Sequence, residues 1–174
     1  MRYTIFMRSQ STLLPLLALV LMGGCVSPTP YTYQLVPGRT AELRKNVAVA
    51  PAKAPDAVRA AIAAGNQIAG LPYARGGGHR RGTNARAYDC SGAASYVLRE
   101  AGLLADSMPS RGFRRYGERG PGKWISIYAR NDHVFLVIAG LRFDTGYTRS
   151  SKGPRWTTNS RPTKGAVVRH PRGL

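Results

Sequence analysis

The sequence predicts one α+β domain in which N-terminal helices pack on a small antiparallel β-sheet. Two segments in the middle of the chain, residues 56–69 and 90–100, have the apolar spacing of amphipathic helices. The last third contains short apolar runs instead, which read as strands between residues 124 and 169. Helices followed by a run of strands are typical of α+β domains, where the helices cover one face of the sheet.

The first 24 residues are predicted to be a leader rather than part of the fold. Arg2 and Arg8 precede an apolar run at residues 13–22, which is too short to span a bilayer and lies where a secretory signal belongs. Small residues followed by Cys25 resemble a bacterial lipoprotein signal, in which the cysteine carries the lipid (palmitate) and becomes the first residue. Ordinary cleavage with secretion, or an uncleaved anchor, are the alternatives.

The remaining 150 residues suffice for one domain with its own core. The residue that follows Cys25 indicates the cellular location of the protein. By resemblance to Gram-negative lipoproteins, Val26 at this position points to the outer membrane, with the protein facing the periplasm. Residues 25–54 are rich in proline, alanine and hydroxyl side chains, so we expect a flexible tether. The folded domain is then expected to cover residues 55–174.

A formal net charge of +18 indicates affinity for polyanions. In a cell envelope these are peptidoglycan carboxylates, teichoic acids or lipopolysaccharide phosphates. A cytosolic protein of this charge suggests nucleic acid, but the leader argues against that compartment. The sequence also lacks zinc-finger spacing and RNA-recognition signatures, so no nucleic-acid partner is expected. Each single arginine is equally compatible with a solvated face.

The elements follow from local signals along the chain. The first helix begins near Asp56 and ends at Gly70, and a glycine-rich loop that includes residues 76–78 follows it. The second helix begins at Cys90 and ends before Gly102. Residues 103–122 are predicted to be a loop with at most one short turn. Strands are predicted at 124–128, 134–139, 141–144 and 166–169, and a polar loop at 148–165.

The chemistry is indicated by a thiol at the start of the second helix. In Asp89-Cys90-Ser91-Gly92, the aspartate is the expected N-cap and the cysteine lies on the first turn. The positive end of the helix and its free N–H groups favour thiolate, which is the nucleophilic form. If Cys25 is lipidated, Cys90 has no disulfide partner, and catalysis explains a lone thiol in an oxidising compartment. The alternative is a buried cysteine that acts as a small apolar residue.

A histidine at the head of a predicted strand supplies the second half of a candidate site. His133 precedes the apolar run of residues 134–139. A cysteine and a distant histidine that meet in the fold form a candidate cysteine hydrolase.

These motifs together resemble the NlpC family of papain-like cell-wall cysteine peptidases, over residues 56–145. The matching motifs are Tyr73-x-x-Gly76-Gly77, Tyr88-Asp89-Cys90-Ser91-Gly92 and His133-Val134-x-x-Val137-Ile138-x-Gly140. The resemblance implies a papain-like fold and cleavage of amide bonds in peptidoglycan stem peptides. It also implies that no metal or cofactor takes part.

The resemblance assigns roles to particular residues. Cys90 attacks the amide carbonyl, and His133 accepts and later returns a proton. A third polar group on the following strand orients the imidazole, and Asp144 is the first choice, with His170 as the alternative. Peptidoglycan is the expected partner.

Further residues are expected to contact the substrate. By resemblance, Tyr73 lies beside the cysteine and Ser91 contacts substrate. Arg80, Arg81 and Arg86 belong to the loop before the nucleophile, and guanidinium groups pair with the carboxylates of stem peptides. Two other functions remain compatible with these residues: acyl transfer on the same fold, and a non-catalytic module that binds anionic envelope polymers.

Overall fold

The computed structural model describes Met1 and residues 29–80, 85–146 and 152–174. The predicted leader, the predicted lipid acceptor Cys25 and the predicted substrate contact Arg81 lie outside the described residues. Within the described part, no helix is both long and apolar enough to cross a membrane.

The described residues form three helices and eight strands. The helices are α1 (Asp56–Ile68), α2 (Cys90–Glu100) and α3 (Ser110–Phe113). The strands are β1 (Glu42–Arg44), β2 (Val47–Val49), β3 (Glu118–Arg119), β4 (Ile125–Ala129), β5 (Val134–Ile138), β6 (Leu141–Asp144), β7 (Arg155–Thr157) and β8 (Val167–His170).

Six of these strands form one antiparallel sheet in the order β3-β8-β4-β5-β6-β7, and β1 pairs with β2 in a separate hairpin. On β5, Leu136 pairs with Ile127 of β4 and with Phe143 of β6. Helix α2 packs against β5, and α1 packs against α2. The α+β class with helices on a small antiparallel sheet is therefore confirmed, and the start of α2 lies beside β5.

The core lies between α2 and the centre of the sheet. Val97 and Leu98 of α2, and Leu136 and Ile138 of β5, have no solvent exposure. Four of the five residues of β5 are buried, as its nearly continuous apolar sequence predicts for a central strand.

Strand β7 lies within the segment predicted as a polar loop, residues 148–165. It has only three residues, and its neighbours are polar, so no periodic pattern marks it. Trp156 is nevertheless buried, with its ring centroid 4.7 Å from that of Phe143. The same ring packs on α1 at Gly65, where a Cβ atom would approach Trp156 Cζ2 to 2.5 Å. A glycine at this position therefore lets the edge strand dock against the helix.

The described part of the predicted tether, residues 29–54, packs on the domain rather than extending freely. The Tyr31 side chain is buried, and its hydroxyl donates to the Gly140 carbonyl at 3.0 Å. The same hydroxyl accepts the backbone N–H of Arg142 at 3.1 Å. The backbones of Tyr31 and Arg161 also pair with each other. This part of the chain is thus joined to the strand that carries Asp144.

The β1–β2 hairpin, also within the predicted tether, docks on α1. Both backbone polar groups of Ala48 pair with the Asn66 side-chain amide at 2.9 Å. Proline and alanine content describes local stiffness and carries no information on such long-range pairing, which is why composition predicted a tether here.

Candidate active site

The turn that carries Cys90 is held by Asp89. This residue is the N-cap of α2, as predicted, and its carboxylate accepts the Gly92 N–H at 2.6 Å. It also accepts the Gly76 N–H at 2.8 Å, from the glycine-rich loop. Burial raises the pKa of Asp89, but these two N–H donors and His79 together hold it below its usual value. The carboxylate therefore stays charged and fixes the loop against the helix.

His79 extends this arrangement and was not anticipated from the sequence. Its Nε2 lies 3.0 Å from Asp89 Oδ1 and 3.3 Å from Ser91 Oγ. The Ser91 hydroxyl donates to the same carboxylate oxygen at 3.0 Å and is buried. Ser91, predicted to contact substrate, thus has its hydroxyl engaged within the turn. A histidine in a glycine-rich loop has no spacing that marks it, so only the fold brings it to Asp89.

Glycine at position 92 permits close approach between the loop and the helix. A Cβ atom there would lie 1.9 Å from the Gly77 carbonyl oxygen, which a backbone atom cannot relieve by rotating away. The Asp-Cys-Ser-Gly sequence is therefore explained by packing as well as by capping.

Three residues far apart in sequence meet beside this turn. Cys90 begins α2, His133 immediately precedes β5, and Asp144 ends β6. His133 Nε2 lies 2.8 Å from Asp144 Oδ1, and the Cys90 thiol is close enough to the same imidazole for each group to shift the pKa of the other. Because Nε2 faces the carboxylate, Nδ1 is the ring nitrogen left for the sulfur. Cys90 is buried, with 8% of its surface exposed.

Two further groups line the sulfur. Cys90 Sγ lies 3.4 Å from Ser110 Oγ and 4.0 Å from the Asp132 carbonyl oxygen. Ser110 is the first residue of α3, in a segment predicted as loop. No sequence pattern marks this serine, because its approach to Cys90 Sγ depends on how residues 103–122 fold back over α2.

Asp144 is buried and paired on both sides. Its side chain is 1% exposed, with one oxygen on His133 and the other accepting from Arg161 Nη1 at 2.6 Å. Arg142 Nε lies 3.8 Å from that second oxygen. A buried carboxylate needs such partners to remain ionised, and Arg161 supplies a charge-assisted hydrogen bond.

The charges of the thiol and imidazole are coupled. Burial raises the pKa of the Cys90 thiol, but hydrogen bonds from His133 and Ser110 together with the imidazolium charge bring it below the ordinary value. Burial lowers the pKa of His133, whereas Asp144 and the thiolate raise it to about 9. Both shifts favour a thiolate–imidazolium pair near neutral pH.

His170, the alternative third residue, is not part of this cluster. It lies on β8, two strands away from β5, where its Nδ1 is 3.0 Å from the Gly120 carbonyl oxygen. Its Nε2 lies 3.3 Å from Glu118. The side chain is therefore engaged elsewhere on the sheet, and the structure does not bring it to His133.

The other described residues that were predicted to contact substrate are Tyr73, Arg80 and Arg86. Tyr73 is close enough for the charges of Cys90 and Asp89, after burial itself, to raise its pKa. Arg80 and Arg86 are exposed in the loop that precedes Asp89. Among the described residues, no group of three His, Cys, Asp or Glu side chains is placed to hold a metal ion.

A groove lined by arginines was missed from the sequence. It encloses about 520 Å³ and lies between α3 and the turn before His133. Its lining is formed by Pro109, Arg111, Gly112, Arg114, Arg115, Asn131 and Val167. Ser110 and Asp132, the two residues that approach Cys90 Sγ, each adjoin a lining residue in sequence. The groove is thus formed in part by the segments that carry these two residues.

Three solved structures share this fold. An NlpC/P60 family protein from Bacillus cereus is 20% identical, with a TM-score of 0.51 over 66% of this chain and 40% of its own length. The peptidoglycan hydrolase RipB from Mycobacterium tuberculosis is 22% identical, with a TM-score of 0.51 over 70% of this chain and 68% of its own. NlpC1 from Trichomonas vaginalis is 16% identical, with a TM-score of 0.50 over 68% of this chain and 45% of its own length.

These likenesses establish the architecture. No family model matches the sequence, and no curated protein is significantly similar to it. The chain spans well under half the length of the first of the three structures. The domain therefore has the NlpC/P60, papain-like fold, and its predicted fold class is confirmed at low sequence identity.

The geometry predicts an acidic thiol that depends on one histidine. We expect His133→Ala to raise the pKa of Cys90 above its ordinary value, because burial then acts without the imidazolium. Alkylation by iodoacetamide at neutral pH should slow by about tenfold or more. Thiolate absorbance measured against pH checks the shift. His170→Ala is the matched control and should leave the titration unchanged, and equal titrations in all three proteins would contradict the arrangement.

Proposed function

We propose that this protein is a cysteine hydrolase that cleaves amide bonds in peptidoglycan stem peptides. The observation that carries the proposal is that Cys90, His133 and Asp144 lie together in one cluster. An acidic thiol hydrogen-bonded to a histidine, which is in turn held by a carboxylate, is the arrangement required for thiol catalysis.

The acylation step uses groups already in contact. The thiolate of Cys90 attacks the amide carbonyl, and the resulting oxyanion accepts from the Cys90 backbone N–H on the first turn of α2. Nδ1–H of His133 then donates its proton to the leaving nitrogen as the C–N bond breaks. A free amine departs, and the acyl group remains on sulfur as a thioester.

Hydrolysis of the thioester reverses the proton transfer. Neutral His133 removes a proton from water, and the hydroxide attacks the thioester carbonyl. Collapse of the second oxyanion breaks the C–S bond, which releases a carboxylic acid and restores the thiolate–imidazolium pair. Asp144 accepts from Nε2 throughout, so it keeps the ring oriented and stabilises its positive form.

The substrate class is supported by likeness and by charge. One structural neighbour bears the name peptidoglycan hydrolase, and a net charge of +18 favours an anionic polymer as partner. Within the groove, Arg111 and Arg115 are exposed, and the lining contains no carboxylate side chain. We assign these two arginines, rather than those of the loop before Asp89, to the carboxylates of the stem peptide.

The proposed location follows from the sequence alone. We propose that Cys25 carries lipid and anchors the chain to the outer membrane on its periplasmic side, where peptidoglycan lies within reach. The described residues 29–54 pack on the domain.

The proposed reaction is tested by digesting purified peptidoglycan. Wild-type protein should release new amine-terminated and acid-terminated muropeptide fragments, detected by mass spectrometry. Cys90→Ala should lower the rate about 10³-fold or more, because no other group replaces the nucleophile. His133→Ala should act similarly, whereas His170→Ala, the matched histidine control, should digest as wild type. Identical fragments from wild type and Cys90→Ala would refute the proposal.

The role of the groove is tested separately. Arg111→Gln with Arg115→Gln should raise KM about tenfold while kcat changes less than about twofold, because ground-state binding is lost and the thiol is untouched. Arg119→Gln, an exposed arginine on β3 outside the groove, is the control for charge. Amidation of the substrate carboxylates should reproduce the effect in the wild type. Unchanged KM in the double variant would contradict the assignment.

A further inference from the structure

A second cavity lies away from the thiol, against β6 and β7. It encloses about 300 Å³ and is lined by Arg142, Asp144, Gly146, Lys152, Arg155, Thr157, Asn159 and Ser160. The proposed reaction uses Asp144 through the oxygen that faces His133, whereas the arginines approach the other oxygen. The remaining lining groups have no part in the proposed mechanism.

The charges around this cavity do not balance. Arg142 and Arg161 are each 4% exposed, and both approach the single carboxylate of Asp144. Arg155 is half-buried beside them, and its proximity together with that of Arg161 lowers the pKa of Arg142, after the larger effect of burial. Buried charge is costly without compensation, and three guanidinium groups lie around one carboxylate here.

Arg142 has guanidinium N–H groups that form no hydrogen bond in the described structure. Its Nε lies 3.8 Å from Asp144 Oδ2, too long for a hydrogen bond, and neither Nε nor Nη1 has an acceptor in the structure as described. The guanidinium carbon stands 5.7 Å from the Tyr31 ring and 5.9 Å from the Phe135 ring. Ring faces compensate a cation only in part.

The chain itself has no further carboxylate side chain for this position. Its eight acidic residues are Glu42, Asp56, Asp89, Glu100, Asp106, Glu118, Asp132 and Asp144, and Asp144 alone belongs to the lining. Residues 2–28, 81–84 and 147–151 contain neither aspartate nor glutamate. No second carboxylate side chain of the cavity lining therefore offsets these guanidinium groups.

We propose that this cavity binds an oxyanion of the phosphate class, either free phosphate or the phosphate group of a larger molecule. Arg142, Arg155 and Lys152 supply the positive charge, and the hydroxyls of Thr157 and Ser160 supply neutral donors. Guanidinium groups and an ammonium group around one cavity match the charge and the several acceptor oxygens of phosphate. Among the groups that line the cavity in the described structure, Asp144 alone is paired with His133.

Calorimetric titration of the full chain with inorganic phosphate tests the site, with sodium chloride at matched ionic strength as the reference. We expect saturable one-to-one binding and a rise in the melting temperature. A second calorimetric titration uses glycerol 3-phosphate in place of inorganic phosphate. Equal or tighter binding of the ester indicates a site for an esterified phosphate group, and binding of inorganic phosphate alone indicates the free ion.

Variants identify the cavity as the site. Arg155→Gln and Lys152→Gln should each weaken phosphate binding about tenfold, the effect of losing one charge-assisted hydrogen bond. Arg119→Gln and Lys164→Gln remove the same charges from exposed positions outside the cavity and should leave the affinity unchanged. Absence of saturable binding, or equal weakening by the cavity variants and their controls, would overturn the proposal. Binding is measured without substrate, so the result stands whether or not the chain hydrolyses peptidoglycan.

Discussion

The buried carboxylate of Asp144 is the group on which the rest of the site depends. One of its oxygens faces His133 and the other faces Arg161, at 2.8 and 2.6 Å. Burial alone pushes an imidazole toward its neutral form and a thiol toward its protonated form. The negative charge of Asp144 reverses the first tendency, and the resulting imidazolium reverses the second. The acidity of a thiol at the start of α2 is therefore set by a residue at the end of β6.

The charge of Asp144 depends in turn on the arginines, and through them on the first described part of the chain. Arg161 pairs with the carboxylate by its guanidinium and with Tyr31 by its backbone. Breaking a buried ion pair of this kind costs about 3–5 kcal/mol, so the fold must hold Arg161 firmly against Asp144. Residues that precede the helices thus contribute to the electrostatics of a site to which they donate no reacting group.

Features that depend on local sequence patterns, such as helix capping and apolar spacing, were predicted from the sequence. The N-cap Asp89, the thiol on the first turn and the histidine before a buried strand lie where capping and apolar spacing indicate. The carboxylate on the next strand, Asp144, was expected from the resemblance to the NlpC family. Contacts made by loops were missed, because Ser110, His79 and the groove arginines depend on how irregular segments fold back. The packed segment before α1 was missed for the same reason, since composition says nothing about a tyrosine hydroxyl that reaches β6.

The most direct test of this account measures the titration of the His133 imidazole by NMR in the wild type and in Asp144→Asn. We expect the His133 imidazole of the wild type to titrate with a midpoint near pH 9. The ring then holds its proton at neutral pH and loses it only as the pH rises through that value. In Asp144→Asn the midpoint should fall toward 6.5 or below, because burial then dominates. Glu118→Gln, which removes the partner of His170, is the control. A midpoint that does not move in Asp144→Asn would contradict the account.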